Sequence, residues 1–192
     1  MSVFSLLNLP AVRAARRPPA GLPVAVRGGQ ALILRPVAPE DAADLAAFFG
    51  RLSPRTLYLR YFTPLPAMPP ERASQEIARL MSAGRRTFVG RLADHRGRPA
   101  AGQALVAVVE LALLPEHPEV AELALVVEDS YQRQGIGSAI CAALPRLLAG
   151  SGLVGLRATA LAENRAVGRL FAAIGPYAAL RIGELTEYEA AL

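Results

Sequence analysis

The segment VVEDSYQRQGIGS, residues Val126 to Ser138, is the tightest constraint on how this chain can fold. It runs from an apolar strand through a polar turn with two closely spaced glycines, Gly135 and Gly137. It then enters a helix bearing Ile136, Ile140, Ala143, Leu144 and Leu147. A turn of this kind points several backbone N–H groups at one spot, and the helix dipole adds partial positive charge there. A pyrophosphate is attracted to that spot. Side chains at Gly135 and Gly137 would stand where the anion must approach, which gives glycine a physical reason at both positions. A P-loop would require Gly-Lys-Ser/Thr and a dinucleotide fingerprint a third glycine, and the segment has neither. The competing reading is an ordinary glycine-rich turn that caps a helix.

Around this segment, apolar spacing and turn chemistry outline the rest of the chain. Residues 1–29, rich in Pro, Ala and Arg and closed by Gly28-Gly29, read as an arm, and the domain proper is expected from 30 to 192. Ala31 to Arg35 reads as a short buried strand. Pro39-Glu40-Asp41 opens a helix with its stripe at Leu45, Phe48, Phe49 and Leu52, and Ser53-Pro54 caps a second helix. A third spans Pro70 to about Ala83. Thr87 to Ala93 and Ala104 to Leu113 are expected to be antiparallel strands across a turn at Asp94 to Pro99, followed by a strand at Val120 to Val127. A helix at Gly135 to Gly150, a strand at Val154 to Ala160, a helix at Asn164 to Ile174 and a hairpin-like tail complete the pattern. Pro145 should kink or restart the helix in which it lies.

Composition narrows the function classes. The net charge of +5 comes from arginine alone, since no lysine occurs among the 192 residues. The arginines are scattered and not interleaved with aromatics, and only Arg13/Arg16/Arg17 and Arg85/Arg86 cluster, which argues against a nucleic-acid surface. A modestly basic surface suits a phosphate-bearing ligand. Met1 to Leu9 makes a poor signal peptide, and no apolar run is long enough to span a bilayer. The single cysteine, Cys141, on an apolar helix face, reads as core. His95 and His117 lie in turns and read as solvated. A soluble cytoplasmic protein is expected, and a homodimer is compatible with it.

In its strand–turn–helix context, Gln132-x-x-Gly135-x-Gly137 resembles the acyl-CoA-binding motif of the GNAT superfamily. A second segment, Asn164 to Gly175 (NRAVGRLFAAIG), resembles the next element of that superfamily, and its distance from the first also fits. Leu34 to Asp41 and Phe48 to Phe62 are similar to the Pat-type protein lysine acetyltransferases, so the resemblance covers about Leu32 to Gly175. It implies an α/β (α+β) fold with a mixed, mostly antiparallel sheet flanked by helices and splayed beside the Gln132 loop. It also implies acetyl-CoA as cosubstrate, no metal, and direct acyl transfer to an amine, which is a protein lysine or a small molecule. The phosphates would lie on Gln132, Arg133, Gln134, Gly135, Ile136, Gly137 and Ser138. The pantetheine arm would pair with Leu125, Val126 and Val127, where N–H groups near Val126 would stabilise the oxyanion. Asn164 opens the later helix, a position it could equally hold as a plain N-cap.

One departure from the family concerns the leaving group. Where many members carry a tyrosine that protonates the thiolate, this chain has Phe171, while Val167, Leu170 and Ile174 beside it read as core. A catalytically weak or inactive CoA-binding module is therefore the rival reading. The acceptor ammonium must also lose a proton. Glu122, a carboxylate within the apolar strand AELAL, matches the general-base position of the Pat-type group. An apolar setting there would raise its pKa, and the competing reading is a solvated strand-end glutamate. Glu110 is the reserve. Tyr58, Arg60 and Tyr61 lie where the family's helices border the acceptor, although an aromatic stripe also suits a core.

Overall fold

A computed structural model describes residues 21–93 and 104–192. The clusters at Arg13/Arg16/Arg17, the apolar start at Met1 to Leu9, His95 and the turn at Asp94 to Pro99 lie outside the described residues. One eight-stranded sheet organises the rest. Its strands are β1 (Leu22–Ala25), β2 (Ala31–Pro36), β3 (Arg85–Leu92), β4 (Ala107–Leu114), β5 (His117–Val127), β6 (Gly155–Leu161), β7 (Tyr177–Ile182) and β8 (Leu185–Ala191). They are ordered β1-β2-β3-β4-β5-β6-β8-β7. Every neighbouring pair is antiparallel except β5 and β6. Among the described residues the α-helices are α1 (Ala42–Gly50), α2 (Pro54–Tyr61), α3 (Pro70–Leu80), α4 (Ile136–Leu148) and α5 (Ala166–Ile174).

Two apolar layers form because successive strand residues face opposite sides. Val109, Leu111 and Leu123 pack with Ile140, Leu144 and Phe171 of α4 and α5. Val108 and Val126 pack on the other face with Leu45, Phe48, Phe49 and Leu57 of α1 and α2. Cys141 is fully buried in the first layer, and burial pushes its thiol up to about 12, so it is an inert packing group.

Two expectations change. Part of the expected arm belongs to the sheet: Leu22 to Ala25 pair with Ala31 to Leu34 across a turn in which Gly28 and Gly29 take φ of +84° and +79°. Pro145 does not restart α4, which runs through it to Leu148. The proline lies in the last turn, where only one ladder bond is at stake.

Candidate active site in the gap between β5 and β6

Strands β5 and β6 pair over only three positions, from Val120 opposite Gly155 to Glu122 opposite Arg157. Both continue beyond that point, β5 to Val127 and β6 to Leu161, so the sheet splays. The side of β5 that faces the gap follows from the hydrogen-bond alternation. The Glu128 N–H donates to Val106 O of the β4 side at 2.9 Å, whereas Glu119 O accepts from Val154 N on the β6 side at 2.8 Å. In the uninterrupted register from Ala121 to Val127, even positions therefore point at β4 and odd positions at the gap. The backbone groups of Leu123, Leu125 and Val127 line the open edge. Val126 directs its N–H into the β4 ladder, and its side chain is buried under α1 and α2, which corrects its expected part in binding.

At the end of β5, the Gln132 to Gly137 loop turns the chain into α4. Arg133 and Gly135 take φ of +60° and +86°, and the first bond closing the helix runs from Ala139 N to Gly135 O. The N–H groups of Ile136, Gly137 and Ser138 precede that bond and lie at the positive end of the dipole. The two glycines serve different needs. Gly135 holds a left-handed conformation that strains other residues. A Cβ on Gly137 would sit 3.0 Å from Leu170 Cδ2 and 3.7 Å from Leu125 Cδ2, so that glycine permits close packing of α4 against α5 and β5. Anion access is not its reason, and a bulky residue there would disturb the core.

Side chains fix the loop from outside. Gln132 Nε2 donates to Val127 O and to Thr56 Oγ1, both at 2.9 Å, so its amide staples the loop rather than facing a ligand. Gln134 Nε2 donates to Ser130 O at 2.8 Å. Asp129 accepts from Ser53 N at 2.9 Å, from Ser53 Oγ, and from Thr56 Oγ1 at 2.8 Å. Burial opposes ionisation of Asp129, but the bonds from Ser53 and Thr56 outweigh it and hold the carboxyl below the ordinary aspartate value. Ser53 is also the N-cap of α2, accepting from Thr56 N at 3.1 Å. Neighbouring Glu128 accepts from Arg51 Nε and Ser130 Oγ, both at 2.9 Å. Over the loop lies Arg27 from the β1–β2 turn, whose Cγ and Cδ are 3.5 Å from where a Cβ on Gly135 would stand.

Glu122 is exposed, not set in apolar surroundings as expected, since β6 departs directly beyond it. It lines a groove of about 190 Å³ together with Arg157, Ala158, Thr159, Glu187 and Tyr188. Glu110, the reserve candidate, is held by three arginines. It is buried, and its oxygens are taken by Arg60 Nη2 at 2.6 Å, by Arg79 with Nη2 at 2.8 Å, and by Arg85. This explains how a carboxylate is tolerated in the otherwise apolar β4. Arg60 is thereby committed to packing, and the guanidinium carbons of Arg60 and Arg72 lie over the Tyr61 ring, at 5.3 and 4.9 Å from its centroid. Phe171 is 1% exposed, with its ring centroid 5.3 Å from that of Tyr188 and 6.3 Å from that of Tyr177, so it is core. The cap of α5 falls on Arg165 without a side-chain bond, and Asn164 contributes its carbonyl, which accepts from Val167 N at 3.2 Å. His117 is exposed, 3.7 Å from Glu119.

Arg27, Thr56 and Asp129 were not apparent from the sequence. Thr56 and Asp129 lie 73 positions apart, and no local pattern joins them.

Residues 31–176 match the family described as the acetyltransferase (GNAT) domain. Comparison with curated protein sequences gave no match. Among solved structures, the GNAT domain of S. lividans PAT is 21% identical, with 90% of this chain and 97% of that one covered and a TM-score of 0.74. An acetyltransferase from Thermus thermophilus is 28% identical over 84% of this chain and 97% of that one, with a TM-score of 0.61. Spermidine N-acetyltransferase from Vibrio cholerae, in complex with CoA and spermine, is 16% identical over 83% and 95%, also with a TM-score of 0.61. The splayed sheet, the loop at the head of α4 and the match over most of its length agree: this chain belongs to the GNAT acetyltransferase family.

Proposed function

We propose that this N-acetyltransferase uses acetyl-CoA and acts by direct transfer to a primary amine, with an exposed protein lysine as acceptor. The supporting observation is the unpaired edge of β5. It runs from Glu122 to Val127, about 16 Å at 3.3 Å per residue, and ends at the anion-binding loop. Phosphates fit the N–H groups at the start of α4, and an extended pantetheine arm fits the odd-numbered backbone groups as an added strand. The thioester is then delivered beside Glu122. From the β5 wall of the groove, Glu122 takes the proton of the acceptor ammonium. The Pat-like residues at Leu34 to Asp41 and Phe48 to Phe62 favour a protein lysine. Two exposed carboxylates in the groove, Glu122 and Glu187, favour a polyamine as the second reading.

Acetyl-CoA turnover with lysine-bearing proteins and peptides, set against polyamines and free amino acids, decides between the acceptors. Glu122→Gln keeps the shape but cannot take a proton. Turnover should fall about 10²- to 10⁴-fold, the acid limb of the pH–rate profile should disappear, and acetyl-CoA binding should survive. Wild-type turnover with an unchanged acid limb in this variant would remove Glu122 from the mechanism. Tight CoA binding by the wild type without turnover of any amine would make the chain a binding module.

A further inference from the structure

We propose that Arg55 and Glu163 form a latch across the gap between β5 and β6, and that acyl-CoA enters and leaves when this ion pair parts. The inference rests on the acyl-CoA reading above. Arg55 lies in the first turn of α2 and Glu163 in the connection from β6 to α5. Arg55 Nη1 donates to Glu163 Oε1 at 2.9 Å across 108 positions of sequence. The two residues belong to opposite walls. Helix α2 is tied to the end of β5 through Thr56 Oγ1, which donates to Asp129 and accepts from Gln132 Nε2. The connection that carries Glu163 is tied to the far wall. Asn164 N donates to Leu161 O at the end of β6, and Ala162 N donates to Glu184 O in the turn between β7 and β8, both at 2.8 Å.

At this end the strands do not hold the walls together, because β5 and β6 pair only from Val120 to Glu122 and from Gly155 to Arg157. On one face of the sheet α4 and α5 close the gap, packed so tightly that a Cβ on Gly137 would stand 3.0 Å from Leu170 Cδ2. On the opposite face, where Leu57 of α2 packs, Arg55 to Glu163 is the one ion pair that spans the gap among the described residues. A pantetheine arm on the edge of Leu123, Leu125 and Val127 would therefore lie between the two helices and this ion pair.

The pair suits a latch rather than a fixed strut. Its side chains are 57% and 51% exposed, so water screens the attraction and the closed form is only modestly favoured. The Tyr58 ring, three positions further along α2, has its centroid 5.8 Å from the guanidinium carbon of Arg55 and keeps that group near the gap when the pair parts.

Arg55→Gln, Glu163→Gln and the double variant test this in stopped flow with CoA labelled by a fluorophore on its ribose. A latch that closes equally with and without ligand governs rates and not affinity. Each single variant should therefore raise both the association and the dissociation rate constant about two- to fivefold, the population change that suits an exposed ion pair. The dissociation constant and the melting temperature should stay at the wild-type values. The double variant should go no further than either single one, and high salt should bring the wild type level with all three. Wild-type rate constants in both single variants, or additive changes in the double one, would overturn the latch. Weaker binding through faster dissociation in Arg55→Gln, with Glu163→Gln matching the wild type, would overturn it too and make Arg55 a contact to the ligand. Absence of CoA binding by the wild type would overturn the acyl-CoA reading together with the latch.

Discussion

Thr56→Val tests whether the CoA loop is held from α2. Valine matches threonine in shape, so the buried site stays filled and only the hydroxyl is lost. That hydroxyl donates to Asp129 at 2.8 Å and accepts from Gln132 at 2.9 Å. A hydrogen bond to a charged group contributes about 1.5–3 kcal/mol and a neutral one about 1. Asp129 keeps its two bonds from Ser53 and Gln132 keeps Val127 O, so the expected loss is at the low end, about 2 kcal/mol. For a chain of this size, that lowers the melting temperature by about 4–8 °C. If half of the loss falls on the loop's binding-competent conformation, acetyl-CoA affinity drops about fivefold. A double-mutant cycle with Asp129→Asn, read by denaturant unfolding and by calorimetry, should show a coupling of about 1 kcal/mol. Strict additivity of the two stability losses together with unchanged affinity in Thr56→Val would refute the idea that α2 positions the loop.

Two further perturbations probe the same region. Arg27→Ala should weaken acetyl-CoA binding about two- to fivefold at low salt, as suits an exposed charge contact of about 0.5–1 kcal/mol. The difference should shrink as salt screens it, and equal affinities at low salt would place Arg27 away from the phosphates. Acid should loosen the loop through Asp129, whose folded-state pKa lies below its ordinary value. A depressed carboxyl contributes stability that is fully present above the unfolded value and is lost as pH falls through the folded one. The melting-temperature gap between wild type and Asp129→Asn should therefore be widest near neutrality and close as pH falls below the ordinary aspartate range. A gap that is constant with pH would mean that the charge of Asp129 contributes nothing.

How much of this was legible in the sequence depends on the reach of each signal. Ser53-Pro54 announces the start of α2 because capping is local, and the stripes Leu45, Phe48, Phe49 and Leu123, Val126 mark their layers through helical and strand periods. The Gly135/Gly137 turn is likewise a local statement about backbone. What the residues could not show is where their neighbours come from. Glu122 and Glu110 are both carboxylates in apolar strands, and nothing local to either separates them. The distinction comes from Arg60, Arg79 and Arg85 on other elements, which surround Glu110, and from the departure of β6, which leaves Glu122 open. Phe171 illustrates the same limit, because motif position placed it beside a thiol, while Tyr177 and Tyr188, brought in by the tail hairpin, close over it.

The gap and the loop have a common origin in the topology. Among the described residues, β5 and β6 form the only parallel pair in the sheet, and a parallel connection needs a crossover, here α4. Because α4 must start where β5 ends, its positively polarised terminus necessarily sits at the carboxyl end of that strand. Pairing between β5 and β6 is confined to Val120–Glu122 and Gly155–Arg157, so the strands diverge toward the same end. Ligands of parallel strand pairs generally gather outside the carboxyl ends of the strands. Here one connection supplies both the proposed anion site and the unpaired strand edge leading from it. The antiparallel pairing of β6 with β8 continues from Gly155 to Leu161, past the point where β5 is lost, and so holds the far wall rigid. The Tyr188 ring extends from that wall toward α5, where it packs on Phe171, on a strand braced on both sides by β6 and β7. With Tyr188 and Tyr177 on either side of it, position 171 is enclosed by aromatic rings and packs as phenylalanine.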